Sequence, residues 1–407
     1  MTVYIGIDWS EQKHDVVMLN EMGGKLAYLK IEHTMAGFAR LDAQLKGLGV
    51  GVDICLVGIE TSHNQLFDYL LEHNYQVYVL PPSQVHSNQG RGRQSGAKND
   101  ESDAWLIAEI LRTDHARLHA WQPDQLLTRQ LKARVHWWIK LNQTVVKHRN
   151  HLRSVLQRYY PAALAVFSSG LNSPIAAAFV MAYPTPQLAR ALSQADFVAF
   201  ARQHHYPHPQ RLASCYQRLQ ADYPATPTDL CQIYQAEALQ AASLLLQTQR
   251  IQAQVAAEVH QLYGQHPKHA AIASLPGVGD LIGAGLLAYL GDDLARFPHP
   301  ALFQAIAGTA PVTIASGHHR SVRFRLACDH GLRYICQEWA LQLVHNVRSP
   351  IALAYFQSIR PHSHSDQHAY RCVANRWLAV AWKIWYTGEP YDPARHLQQR
   401  ARREQPR

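Results

Sequence analysis

The sequence has few of the features that mark secreted, membrane-bound or zinc-binding proteins. Its six cysteines are scattered, and no two of them form a Cys-x-x-Cys pair. This spacing predicts reduced, mostly buried thiols, not a disulfide framework or a zinc knuckle. No apolar run is as long as a membrane span, and the first residues lack the layout of a signal peptide. With 47% hydrophobic residues in 407, we expect a globular cytoplasmic protein of two or three domains without a membrane partner.

Acidic residues are scarce in one long segment. Residues 121–160 contain eight Lys and Arg but a single acid, Asp124. The last fourteen residues, "ARHLQQRARREQPR", are also strongly basic, and the whole chain has a net charge of +9. A single run of charge is usually a solvated face, but two separate basic elements favour a nucleic-acid partner.

The N-terminal part alternates between strand and helix patterns. Three segments, "VYIGIDWS", "DVVMLNE" and "KLAYLKI", predict a meander of three strands. The helix "TMAGFARLDAQLKGLG", the strand "DICLVGIET", the helix "HNQLFDYLLEHN", the strand "QVYVLPP" and a helix from about Asp100 follow. The resulting order, β-β-β-α-β-α-β-α, is that of the ribonuclease H-like fold.

Four acids occupy the positions where that layout places a metal site. They are Asp8 in the first strand, Glu60 at the end of the fourth, and Asp100 and Asp103 on the last helix. The two aspartates are one helical turn apart and therefore point the same way. Converging carboxylates suit Mg²⁺, which can stabilise the reacting oxygens of a phosphodiester. Taken alone, Asp100 and Asp103 are better explained as a helix-terminal charge and a solvated residue. Asp8 in an apolar strand, Glu60 at the end of another and the element order together favour a magnesium site.

The remainder of the chain predicts mostly helix. Residues 125–158 predict one long basic helix, and residues 236–265 predict a second that pairs with it as a stalk or coiled coil. Short helices are expected between them, and Trp-rich packed helices after residue 268. We therefore expect an RNase H-like α/β domain at 1–120, a helical connector at 121–265, and a mainly α-helical domain at 266–407.

The glycine-rich segment "LPGVGDLIGAGLL" resembles a helix-hairpin-helix turn. Gly277 and Gly279 would then offer backbone N–H groups to a DNA phosphate at a helix N-terminus. A glycine-rich turn between two core helices explains the same residues, and both readings stay open.

A serine lies in the basic segment "TIASGHHRSVRFR". Attack by Ser316 on a DNA phosphate would leave a phosphoserine link and a free hydroxyl on the other side. Arg320, Arg323 and Arg325 could hold the phosphate. The residues alone favour the plainer alternative, a Ser-Gly turn beside a basic strip, because a lone serine is a weak signal.

These segments together resemble the DEDD transposases of the insertion-sequence family one-ten, described as bridge-RNA-guided serine recombinases. The similar segments include "GIDWSEQKHDVVML", "GIETSHN", "KNDESDAWLIAE" and "LPGVGDLIGAGLLAYLGD", and the resemblance spans nearly the whole chain. It implies a RuvC-like domain, a coiled-coil connector and a C-terminal transposase domain. It also implies Mg²⁺ at the four acids and catalysis through Ser316.

The resemblance extends to partners and to further site residues. It implies donor and target DNA, a structured noncoding guide RNA, and a homo-oligomer that is a dimer or a tetramer. Ten residues are candidates for nucleic-acid contacts: Lys98, Arg129, Lys132, Lys147, Arg153, Gly277, Gly279, Arg320, Arg323 and Arg325. The chain departs from the family's pattern at Asn99, Glu101, His318 and His319.

Two other functions remain open. A RuvC-like structure-specific endonuclease would use the same four acids and water as the nucleophile, without Ser316. A catalytically silent protein that binds DNA or RNA would keep the acids for structural reasons. Substitution of Ser316 distinguishes the transposase from the endonuclease. Substitution of Asp8 distinguishes the catalytically silent protein from both enzymes.

Overall fold

A computed structural model describes residues 2–62, 64–88, 100–167, 170–224, 226–317 and 319–404. The chain divides into two compact units, one made of Met1–Asp124 with Asp293–Pro298, and the other of Gln125–Asp292 with His299–Arg407. The three domains expected from the sequence remain a prediction.

The first unit is built on a mixed five-stranded sheet. Its strands are Val3–Asp8 (β1), Lys13–Leu19 (β2), Lys25–Glu32 (β3), Cys55–Ile59 (β4) and Gln76–Val79 (β5). They lie in the order β3-β2-β1-β4-β5, in which the first three strands are antiparallel neighbours and β1, β4 and β5 run parallel. The helices are Met35–Gly47 (α1), Gln65–Glu72 (α2), Pro82–Ser87 (α3) and Asp100–Asp114 (α4). The element order predicted for this part of the chain is confirmed, with the short α3 added.

Helices cover both faces of this sheet. Thr34 and Asn64 cap α1 and α2 by accepting hydrogen bonds from the backbone N–H groups of Gly37 and Phe67. The apolar sides of α1 and α2 pack against one face of the sheet, in a core that includes Ile5. Helix α4 packs against the opposite face. Because side chains alternate along a strand, the even-numbered residues of β1 point towards α4.

Gly6 allows α4 to approach β1 closely. A Cβ atom at this position would lie 2.0 Å from the carbonyl oxygen of Ala104 and 2.4 Å from the backbone nitrogen of Ala108. The backbone of α4 therefore rests directly on the central strand, and only glycine leaves room for it.

The second unit contains two long helices, Leu126–Tyr159 (α5) and Thr228–Gln265 (α11). They pair in antiparallel fashion, since Arg134 contacts Glu258 whereas Arg158 contacts Tyr234. The predicted pair of long helices is confirmed, and α11 begins eight residues before the predicted start. Between them lie Pro161–Ala165 (α6), Pro174–Ala182 (α7), Pro186–Arg190 (α8), Gln194–Gln203 (α9) and Leu212–Leu219 (α10). These short helices enclose an apolar core shared with α5 and α11.

The C-terminal part of this unit is mainly helical. Its helices are His269–Ala273 (α12), Asp280–Leu290 (α13), Pro300–Ile306 (α14), His330–Leu341 (α15), Pro350–Ile359 (α16), Asp366–Thr387 (α17) and Pro393–Glu404 (α18). The expected Trp-rich packing is confirmed. Trp339, Trp377 and Trp385 are buried, and the indole N–H of Trp385 donates to the carbonyl of Gly291 at 2.8 Å.

Two strands interrupt these helices, Val312–Ser316 (β6) and His319–Arg323 (β7), which form an antiparallel hairpin. This sheet was not predicted from the sequence. All six cysteines are free thiols. Among the described residues, we find no helix with the length and apolarity that crossing a membrane requires.

Candidate active site

Asp8 and Glu60 lie side by side at one end of the sheet in the first unit. Strands β1 and β4 are parallel, and Ile7 is paired with Ile59. Asp8 ends β1, and Glu60 directly follows β4. The paired strands therefore bring the two carboxylates to the same edge, on the face that α4 covers.

Helix α4 brings the other two acids to this edge. It begins at Asp100, whose side chain is exposed, and Asp103 lies half-buried one turn later. The close approach of α4 at Gly6 places its first turn above the end of β1. Packing of the helix on the sheet thus brings together all four acids that the sequence analysis singled out.

The electrostatics of Asp8 confirm that these acids influence one another. The pKa of Asp8 is raised to about 6, first by burial and then by repulsion from Asp103, Glu60 and Asp100. Each nearby negative charge disfavours ionisation of the Asp8 carboxyl. A cation placed among the four acids would relieve this repulsion.

The donor set suits a hard divalent cation, but the carboxylates do not form a closed metal site. In the described part of the chain, no three His, Cys, Asp or Glu side chains are close enough together to hold an ion. The Asp100 carboxylate instead lies 4.0 Å from the ammonium group of Lys30. Carboxylate oxygens are the ligands that Mg²⁺ prefers, so the residue types fit the ion. In this structure the Asp100 carboxylate is near Lys30 and does not complete a set of ligands with the other acids.

Ser316 lies in the second unit, at the end of β6. It is exposed and pairs with His319 across the hairpin. Gly317, which forms the turn, has a φ of 55°, in the left-handed region that glycine adopts without strain. Arg320 and Arg323 lie exposed on β7. Arg325 follows the strand and donates from Nε to the carbonyl of Ala310 at 3.2 Å. The serine thus stands beside a basic strand.

Segments of both units match known transposase families. Residues 5–161 match the DEDD transposase model of the IS110 type, and residues 269–357 match the Transposase IS116/IS110/IS902 family. The chain is 30% identical to the "Mini-circle putative transposase for IS117" of Streptomyces coelicolor, and the alignment covers 97% of this chain and 96% of the relative. The chain belongs to the IS110 family of insertion-sequence transposases.

A second relative aligns with the transposase over most of its length. The insertion element IS900 uncharacterized 42 kDa protein of Mycobacterium paratuberculosis is 24% identical, and the alignment covers 96% of this chain and 98% of that protein. The family membership predicted from the sequence motifs is therefore confirmed along the chain and not only around the acids.

The long basic helix α5 of the transposase carries four of the predicted nucleic-acid contacts. Arg129, Lys147 and Arg153 are exposed, and Lys132 is half-buried. Another cation on the same helix is paired within the unit, since Nε of Arg134 lies 2.8 Å from the Glu258 carboxylate on α11. A contact between α5 and a nucleic-acid backbone remains a prediction.

The glycine-rich segment forms a turn between α12 and α13. Gly277 has a φ of 71°, and Gly279 immediately precedes the first residue of α13. The first helical residue is Asp280, whose carboxylate lies 2.7 Å from Nδ1 of His260. A negative side chain at this helix end disfavours a phosphate there. A phosphate contact at Gly277 and Gly279 remains a prediction.

Three positions named in the sequence analysis lie outside the described residues, namely Lys98, Asn99 and His318. One further acid, which was not predicted from the sequence, lies next to the site. Asp15 lies directly opposite Asp8 in the antiparallel pair of β1 and β2 and is 4% exposed. It accepts a hydrogen bond from the hydroxyl of Tyr28. A charged residue within the apolar segment "DVVML" was the signal that could have identified it.

Proposed function

We propose that this transposase cuts and rejoins DNA through a covalent link to Ser316. The Ser316 hydroxyl attacks a backbone phosphorus and gives up its proton to a base. A P–O bond to serine forms, and the bond to the departing strand breaks and releases a hydroxyl. Attack by the hydroxyl of an incoming strand restores a phosphodiester and frees the serine. Both steps exchange one phosphate ester for another, so no oxidant or energy source is required.

The observation that best supports a DNA-processing site is the convergence of Asp8, Glu60, Asp100 and Asp103 on one face at one end of a sheet. The strand order β3-β2-β1-β4-β5 supports an RNase H-like fold for this unit. The raised pKa of Asp8 supports a site that gains from a bound cation.

The four acids would hold Mg²⁺, and the ion would neutralise charge that develops on the phosphate. Asp8 and Glu60 would fix the ion to the end of the sheet. Asp100 and Asp103 would close over it from α4. The exposed Arg320 and Arg323 would hold the phosphate beside Ser316 through charge-assisted hydrogen bonds.

We further propose that a noncoding RNA supplied by the element guides the transposase to donor and target DNA, and that the active form is a homo-oligomer. The exposed cations Arg129, Lys147 and Arg153 on α5 support binding of nucleic-acid backbones. Sequence would then be read by base pairing, with the protein holding the backbones.

A trap for the covalent intermediate tests the serine. Wild type, Ser316→Ala and Asp8→Asn are incubated with labelled donor and target DNA, Mg²⁺ and RNA transcribed from the element's noncoding flank, then denatured and separated on a gel. We expect a denaturant-stable adduct in wild type that is absent from both variants.

The same gel distinguishes the two enzymatic functions. Cleavage without an adduct, at the same rate in Ser316→Ala as in wild type, would identify a hydrolytic RuvC-like nuclease instead. Cleavage that survives Asp8→Asn would show that the acid cluster is not the catalytic site.

A further inference from the structure

A row of four charged residues crosses the end of the sheet beneath the first turn of α4. Asp15 pairs with Asp8 on one side and with Lys30 on the other. Residues directly opposite each other on antiparallel strands point to the same face, with Cβ atoms about 5 Å apart. Glu60, after β4, completes the row. Three acids and one lysine thus face α4 together.

Lys30 is the cation within this row. Its ammonium group lies 3.5 Å from the Asp15 carboxylate and 4.0 Å from that of Asp100. Asp15 is held in place, since its side chain is 6% exposed and accepts a hydrogen bond from Tyr28. Asp15 therefore fixes Lys30 at a point where the ammonium attracts Asp100.

This attraction gives a physical reason why the acids do not form a closed metal site. Asp100 is the most exposed of the four, with 62% of its side chain accessible, and it can turn towards either Lys30 or the other acids. A divalent ion among Asp8, Glu60 and Asp103 needs the same carboxylate. The ammonium group and the ion therefore compete for Asp100, and their like charges repel one another.

We propose that Lys30, positioned by Asp15, tunes the affinity of the acid site for its divalent cation by competing for Asp100. The inference rests on the proposed metal site. It assigns roles to two residues, Asp15 and Lys30, outside the four acids. The bound ion must displace Lys30 from Asp100, so the site closes only when the ion is present at sufficient concentration.

A matched control lies on the same strand. Lys25 makes the same kind of contact with α4, because its ammonium group lies 2.8 Å from Glu101, and it is about as exposed as Lys30. Glu101 is not one of the four acids. Replacing Lys25 removes a lysine from β3 and a contact to the first turn of α4, but leaves Asp100 unchanged.

The test measures binding of Mn²⁺, without DNA or RNA, to the full-length protein by electron paramagnetic resonance. The proteins are wild type, Lys30→Met, Lys25→Met and Asp8→Asn, and the melting temperature of each shows that it is folded. We expect Lys30→Met to bind Mn²⁺ roughly fivefold more tightly, because a nearby positive charge is lost. Lys25→Met should stay within about twofold of wild type, because its contact is exposed and screened by solvent.

The outcomes separate this proposal from the metal site itself. Weaker binding by Lys30→Met would mean that Lys30 holds Asp100 in place for the metal, and an unchanged affinity would mean that the contact has no effect. Either result overturns the proposal while leaving the metal site intact. If Asp8→Asn binds Mn²⁺ as well as wild type does, the metal site itself is wrong.

Discussion

Asp8 ends a strand at the centre of a five-stranded sheet, whereas Ser316 ends a strand that has a single partner. Asp8 is half-buried beneath α4, and its place depends on the packing of a whole domain core. Ser316 is exposed on a hairpin, a structure that is marginally stable on its own. The two proposed catalytic groups therefore depend on different forces. Core packing fixes the acids, and turn geometry fixes the serine.

The largest effect should come from breaking the packing that positions the acids. In Gly6→Ala, the new Cβ would overlap the backbone of α4 at Ala104 and Ala108. Overpacking of this kind costs about 3 kcal/mol, which lowers the melting temperature of a unit of this size by about 10 °C. Because α4 also carries Asp100 and Asp103, DNA cleavage should be lost as well.

Gly47→Ala is the matched control for this substitution. A Cβ atom at Gly47, in the last turn of α1, would meet no atom within 4 Å. We expect its cleavage to equal that of wild type and its melting temperature to be equal or slightly higher, because alanine has less freedom in the unfolded chain than glycine does. If Gly6→Ala melts and cleaves as Gly47→Ala does, the close approach of α4 to β1 does not position the acids.

A buried histidine on the other face of the sheet provides a second, smaller test. His14 is fully buried, and its Nε2 lies 2.9 Å from Nδ1 of His33. Burial, and then repulsion from His33, lowers the pKa of His14 to about 4. The unfolded chain takes up this proton near the ordinary value of 6.5, whereas the folded protein does not until about pH 4. Stability should therefore fall as the pH decreases from about 6.5 to about 4.

His14→Gln removes this titration while keeping a donor for His33. Its melting temperature, recorded from pH 7 to pH 4.5, should fall less steeply than that of wild type. Parallel curves for the two proteins would mean that His14 does not titrate as its burial implies.

The same contrast explains what the sequence allowed us to predict. The apolar runs of β1 and β4 and the one-turn spacing of Asp100 and Asp103 were local patterns. They gave the correct elements in the correct order along the chain. Asp15 and Lys30 were missed because their importance depends on strand register, which pairs them with Asp8 through space. The hairpin at Ser316 was missed because each of its strands has only five residues, and the alternation of Val312 and Ile314 around Thr313 is too short to distinguish a strand from a loop.

The smallest expected effect on stability comes from the turn that presents the serine. Gly317 has a φ of 55°, and a Cβ atom there would meet no atom within 4 Å. Gly317→Ala therefore introduces no clash, and only the left-handed backbone is strained, by about 1 kcal/mol. That strain favours other conformations of the turn by roughly fivefold. The melting temperature should hardly change, whereas the yield of the covalent DNA adduct should fall by about the same factor.

Gly317→Asn sharpens the test, because asparagine tolerates the left-handed region far better than alanine does. If backbone geometry presents Ser316 to DNA, the adduct yield of Gly317→Asn should lie close to that of wild type and well above that of Gly317→Ala. Equal losses in the two variants would instead mean that any side chain at this position obstructs the DNA. Gly317 would then be needed because it leaves space for DNA, and backbone geometry at the turn would not be what positions Ser316.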